Sequence, residues 1–250
     1  MIVVKTAAEI EKMRRIGRIV AQAHRLVEES IVPGITTEEL DEKVARFFEE
    51  QGVKGAFLGY EGYPKNICTS VNEEVVHGIP GPRRLVEGDI VGIDIGASLD
   101  GYFADMARTL PVGEISDEAR RLLQVTEEAL YKGIEKAVPG GRLSDISHAI
   151  QTHVEAAGFS VVREFVGHGV GRAMHEAPQV PNFGPPGRGP RLRQGMTLAI
   201  EPMVNMKGPE VVVLEDGWTV VTRDAGLSAH FEHSVAITSD GPLILTTLED

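Results

Sequence analysis

Apolar residues recur at three- and four-residue steps through Ile10, Met13, Ile16, Val20, Ala23 and Val27, the spacing of one helix face. Thr6-Ala7-Ala8-Glu9 stands just before them with capping-box spacing, so the segment is predicted to start an amphipathic helix there and to break at Pro33-Gly34. Thr36 and Glu39 offer a second capping box, Leu40, Val44, Phe47 and Phe48 share a side, and Gly52 terminates that helix. Segments 66–77 and 89–110, rich in Val and Ile and interrupted by turn residues, read as antiparallel strands.

The pattern then returns. Ser116-Asp117-Glu118 opens a helix carrying Leu122, Leu123 and Leu130, followed by Val138-Pro139-Gly140 and another helix that ends at Gly158. At an offset of 106, Val32-Pro33-Gly34 falls on Val138-Pro139-Gly140, Glu39 on Asp145, Leu40 on Ile146, Val44 on Ile150 and Gly52 on Gly158. Each half reads as helix, Val-Pro-Gly turn, helix and strands. The prediction is an α+β fold of two halves, approximately 1–110 and 111–250, related by a pseudo-twofold and sharing one sheet within a single domain.

Charge and composition narrow the classes of function. The formal charge is −12, which argues against broad affinity for nucleic acid. The local basic stretches, Lys12 to Arg25 and Arg188 to Arg193, read as solvated faces. No apolar run approaches the roughly 20 residues of a membrane span. The start, Met1-Ile2-Val3-Val4-Lys5, lacks the longer apolar core of a secretory signal, so cytoplasmic residence is expected. One cysteine, Cys68, leaves no intrachain disulfide and no multi-thiolate zinc site.

Carboxylates inside apolar strands are the chemical anomaly. Asp94 lies in Ile90-Val91-Gly92-Ile93-Asp94-Ile95, and Asp105 in Tyr102-Phe103-Ala104-Asp105-Met106-Ala107. Buried without partners, such groups are costly. A hairpin with the four-residue loop Ser98 to Gly101 pairs 97 with 102 and therefore sets 94 opposite 105 on one sheet face. A cation between them, a shared proton or partnering arginines would each relieve that opposition. Gly167-His168-Gly169-Val170-Gly171 adds an imidazole flanked by glycines, and His175 follows seven residues later. Glu201 sits in Leu198-Ala199-Ile200-Glu201-Pro202, and Glu232 opens a strand in His230-Phe231-Glu232-His233-Ser234-Val235. One imidazole with four carboxylates is an oxygen-rich set that suits Mn²⁺, Fe²⁺ or Co²⁺ better than structural zinc, and its charge of about −4 would be cancelled by two divalent ions.

Taken in order, these motifs resemble the pita-bread methionine aminopeptidases of the short, type I kind. The resemblance also runs through Gly62-Tyr63-Pro64-Lys65-Asn66-Ile67-Cys68 and Asn72-Glu73-Glu74-Val75-Val76-His77-Gly78-Ile79-Pro80, and so spans nearly the whole chain. It implies a pita-bread fold and two divalent metal ions held by Asp94, Asp105, His168, Glu201 and Glu232. In that pattern Asp105 and Glu232 bridge, Asp94 completes one ion, His168 and Glu201 complete the other, and a metal-bridging hydroxide is the nucleophile. His77 and His175 are implied to contact the scissile amide and the developing oxyanion, and Glu201 to pass protons. The methionine side chain is implied to lie among Tyr60, Tyr63, Cys68, Met174 and Trp218. Met174 departs from the aromatic residue common among relatives, but a thioether also suits methionine. Asn72, Glu74 and Ser228 match a monovalent-cation site.

The implied activity is removal of the initiator methionine from nascent polypeptides by a cytoplasmic monomer, with a small second residue preferred. A transient ribosome contact is compatible with that substrate, and no specific nucleic acid or membrane is expected as a partner. Three other readings compete. X-Pro peptidases share the fold but usually add an N-terminal domain, for which the roughly 90 residues before Asp94 are expected to leave no room. The spacings of 33 residues from His168 to Glu201 and 31 on to Glu232 likewise leave no place for the insertion of type II enzymes. A non-catalytic binding module of the same fold would be expected to have lost ligands, and all five stand here.

Overall fold

The computed structural model describes residues 2–249. Both predicted capping boxes form: Thr6 and Glu9 cap helix α1 (Ala7–Ser30), and Thr36 and Glu39 cap α2 (Thr37–Gln51), which closes on Gly52 at φ 67°. Ser116 caps α3 (Asp117–Ile134) by accepting from the Ala119 N–H, and α4 spans Leu143–Ala156. The face of α1 read from the sequence is the buried one, with Met13, Ile16, Val20, Ala23 and Val27 all inside. Among the described residues no helix is long and apolar enough to cross a membrane.

A curled, nine-stranded antiparallel sheet runs through both halves. Its main path is Lys54–Gly55, Ile90–Leu99, Tyr102–Pro111, Glu232–Thr238, Thr197–Ile200, Gly167–Gly169 and Glu176–Val180, with Cys68–Val71 and Gly241–Ile244 pairing at the sides. Alternation along the strands sorts two faces. Ile93, Ile95 and Met106 join the core packed under α1 and α2. Leu198, Ile200, Val235 and Ile237 join a second core with α3 and α4. The residues between them, Asp94, Asp105, Glu232 and Ala199, therefore face away from the helices.

The register of the central hairpin differs from the sequence expectation. Leu99 pairs with Tyr102, Gly96 with Asp105 and Asp94 with Ala107, so the loop has two residues, not four. Those residues, Asp100 at φ 52° and Gly101 at φ 77°, both occupy the left-handed region, as a type I′ turn demands. A shift of two positions keeps both aspartates on one face but makes them diagonal neighbours, about 7–8 Å apart against about 5 Å if directly opposed. The two side chains nevertheless meet, and after burial the charge of Asp105 is the main cause that raises Asp94.

Candidate metal centre

Strand register brings the acids together before any side chain is considered. Asp94 pairs with Ala107, and Ala107 pairs with Glu232 across the next strand. One row along, Ser234 pairs with Ala199 and Ala199 with His168. Glu201 lies two residues beyond Ala199, on the same face. Small residues, Ala107, Ala199 and Ser234, separate the functional ones and leave a hollow above the sheet. Gly167 and Gly169 bracket His168 because the backbone is crowded there: a Cβ at Gly167 would meet the Ala199 carbonyl oxygen at 2.4 Å, and one at Gly169 the Ala177 oxygen at 2.5 Å.

The hollow is a cavity of about 360 Å³. Its floor carries Asp94, Asp105, His168, Glu201 and Glu232, all five residues singled out in the sequence. Asp105, His168 and Glu232 converge within the reach of one ion, and so do Glu201, His230 and Glu232, which makes Glu232 common to both groups. His168 Nδ1 lies 2.8 Å from the Gly169 carbonyl oxygen, which can only accept. The proton is therefore on Nδ1, and the Nε2 lone pair is free to face Glu201 Oε1 at 3.4 Å.

Three buried polar atoms on this floor lack a hydrogen-bond partner: Asp94 Oδ1, Glu232 Oε1 and His230 Nε2. Orphaned groups of this kind are rare and costly, and acceptors gathered without donors fit divalent cations. Burial pushes all four carboxyls up, to about 7 for Asp105. Asp94, Glu201 and Glu232 are raised well above the usual carboxylate range, first by burial and then by the charge of Asp105 beside them. His168 is depressed to about 4 by burial and then by the proximity of His175. A cation would be bound by the neutral imidazole and would stabilise the ionised carboxylates that burial alone disfavours.

The sign of the resulting pH dependence follows directly. In the metal-free protein these carboxyls keep protons that the unfolded chain, with ordinary values near 4, releases. Below about pH 6.5 the buried histidines, depressed to about 3 to 4, act in the opposite sense, because the unfolded chain protonates them and the folded one does not. Above about pH 7 the carboxyls set the sign: the folded state binds more protons than the unfolded one, so stability falls as pH rises. Chelated protein is expected to lose melting temperature from about pH 7 to about pH 8.5, and added divalent metal to restore it at the upper end. A melting temperature that rose over this range without metal would contradict the assignment.

Above the floor, the cavity wall is apolar. Tyr63, Cys68 and Met174 are buried in one cluster with Ala56 and Phe57, and Tyr60 and Trp218 pack against it. Tyr63 donates to the Ile67 and Gly78 carbonyls, and its ring meets Trp218 edge-on at 5.1 Å. Burial, then the Asp94 charge, pushes the Cys68 thiol well up, so it lines the wall as a neutral group. His77 adopts φ 62°, unusual outside glycine, and packs between Phe165 and Trp218. Burial depresses it to about 4. His175 is the most exposed of the set; its Nδ1 lies 2.7 Å from the Tyr60 hydroxyl and its ring 4.2 Å from that of His168. Glu176 ties down the loop before it by accepting from the Arg172 and Ala173 N–H groups while pairing with Lys5.

Every residue singled out in the sequence for the divalent metals, substrate or catalysis lines this one cavity; the three matched to a monovalent cation do not. Asn72 and Ser228 also meet, the Ser228 N–H donating to the Asn72 carbonyl at 2.9 Å, while the Glu74 carboxylate accepts from the Val71 N–H and Arg83. Sequence reasoning missed Phe57, Phe165 and His230 as cavity residues. His230 was detectable, because it stands two residues from Glu232 at strand spacing; the two phenylalanines carry no pattern beyond their apolarity.

Comparison with known proteins shows the family to which the fold belongs. The model of metallopeptidase family M24 matches residues 11–239, and the chain belongs to that family. Within it, the chain is similar along its whole length to proteins named methionine aminopeptidase. One from Bacillus subtilis is 58% identical over 246 residues, which cover 98% of this chain and 99% of that one. The crystal structure of methionine aminopeptidase from Rickettsia prowazekii superposes with a TM-score of 0.98 at 42% identity, covering 99% of this chain and 100% of the other. A prolidase from Pyrococcus furiosus is more distant, with a TM-score of 0.79 and 25% identity, and 99% of this chain covers only 66% of it.

Proposed function

We propose that this chain removes the N-terminal methionine from nascent polypeptides, using two divalent cations held by Asp94, Asp105, His168, Glu201 and Glu232. The observation that carries the reading is a blind apolar wall of Tyr63, Cys68, Met174 and Trp218 ending on a floor of four carboxyls and one imidazole. Such a wall takes an unbranched, polarizable side chain and leaves the adjoining backbone over the acids. The site draws on both halves of the sheet within one chain, which supports a single catalytic domain acting as a monomer. The substrate is a chain end emerging in the cytoplasm, so cytoplasmic residence follows from the reading.

When bound, the cations, cobalt, manganese or iron(II), would polarise the scissile carbonyl and acidify a water molecule. The chain's own residues supply the rest. Asp105 and Glu232 are assigned the shared positions, a role favoured by Glu232 standing in both ligand groupings and by Asp105 acting on the other three carboxyls. Glu201, on the cavity floor with Oε1 3.4 Å from His168 Nε2, moves a proton between attacking and leaving groups. His77, neutral near pH 7, contacts the scissile amide. His175, held at Nδ1 by the Tyr60 hydroxyl, offers a proton from Nε2 to the developing oxyanion.

The test is specificity. Peptides beginning Met-Ala are expected to be cleaved well and Met-Lys peptides poorly, since the crowded histidines and acids at the cavity floor leave little space for a large second side chain. An Ala-Pro-Ala peptide should be left intact. Equal cleavage of Met-Ala and Met-Lys would refute the crowding argument, and preference for the X-Pro bond would overturn the proposed activity.

A further inference from the structure

The resemblance assigns His230 no role, yet it is buried in the wall where Glu201 and Glu232 meet. Its backbone is clamped twice by one hydroxyl: the His230 N–H donates to Thr109 Oγ1 at 2.8 Å, and that hydroxyl donates back to the His230 carbonyl at 3.0 Å. The residue pairs with Met203 at the end of the Ser228–His230 strand, and after Phe231 the chain enters the main sheet with Glu232. Two residues apart in extended chain, His230 and Glu232 line the same cavity.

The imidazole Nε2 has no hydrogen-bond partner. It stands 3.6 Å from Glu201 Oε2 and 3.9 Å from Glu232 Oε2. These separations are too long for hydrogen bonds. They match neighbouring ligand atoms around one cation, because donors bound at about 2.0–2.2 Å lie about 3–4 Å from each other. Nε2 and one oxygen from each glutamate all fall within 4.8 Å of one another.

We propose that His230 is a nitrogen donor to the cation held by Glu201 and Glu232, so that this ion has a second imidazole besides His168. The inference rests on the metal centre argued under Proposed function. A second nitrogen in an otherwise carboxylate site biases it toward Co²⁺ over Mn²⁺, since imidazole favours the later metal and oxygen ligands the earlier one.

Two measurements on the full chain test this. Metal-stripped protein is reloaded with Co²⁺ and its crystal structure determined with anomalous scattering. In parallel, Co²⁺ and Mn²⁺ are titrated calorimetrically into the wild type and His230→Gln. The expected result is a cobalt site with His230 Nε2 at bonding distance, about 2.0–2.2 Å. His230→Gln is expected to bind Co²⁺ at least about 10-fold more weakly, with a smaller loss for Mn²⁺. Cobalt seated among the carboxylates with Nε2 beyond bonding distance overturns the proposal, whatever the variant's affinity, and leaves the metal centre standing. If His230→Gln does not fold, the wild-type crystal still decides. No bound cation in the wild type overturns this inference and the metal centre together.

Discussion

Asp105→Asn is expected to lower turnover on a Met-Ala-Ser peptide by more than about 100-fold, beyond the 10–100-fold typical of residues that only support a metal's ligands. The reason lies in its position. Asp105 is buried, its backbone N–H is held by Ser234 Oγ, and its charge is felt by Asp94, Glu201 and Glu232 alike. Asparagine keeps the shape and removes the charge, so the loss reads the electrostatic contribution and not a packing defect. The Asp105→Asn protein should fold, with a weaker fall in metal-free stability as pH rises, because one titrating carboxyl is gone. Near wild-type turnover in this variant would mean that Asp105 is not shared between two ions.

His175→Ala is expected to lose roughly 10²–10³ in turnover, the usual scale for one donor to a developing oxyanion, with substrate affinity changed much less. Its ring is the most exposed of the cavity's imidazoles and is oriented through Tyr60 at 2.7 Å. Metal affinity should therefore survive its removal. His168→Ala should behave differently. His168 Nε2 is free of its own proton and faces Glu201, so its loss should weaken both metal binding and turnover. Calorimetric titration beside turnover on the same peptide separates the two roles. If His175→Ala lost metal as readily as His168→Ala, the roles would have to be merged or exchanged.

Much of this arrangement was legible because it depends on local rules. The capping boxes at Thr6 and Thr36, the apolar face of α1 and the glycine end of α2 are set within a few residues of chain, and the structure reproduces them. Strand parity was enough to put Asp94 and Asp105 on one face. Register was not, because Asp100-Gly101 forms a two-residue turn and shifts the pairing by two positions. The Asp-Gly pair was a readable turn signal, and giving it due priority would have yielded the observed register. The cavity wall is harder to read. Phe57 and Phe165 reach the site from separate loops, and only the tertiary fold brings them beside Tyr63 and His77. His230 stands between these cases: its spacing from Glu232 was visible, but the break at Phe231 that puts the two residues in different sheets was not.

The most direct test of metal-dependent methionine removal is release of free methionine from Met-Ala-Ser by one preparation measured three times: as purified, after chelation with metal content verified as absent, and after reloading with Co²⁺ or Mn²⁺. The wall and floor of the cavity predict cleavage in the first and third measurements and none in the second, because among the described residues the cavity is lined by no serine or threonine and its Cys68 thiol is held neutral by burial. Full release of methionine from the verified metal-free protein would contradict the account.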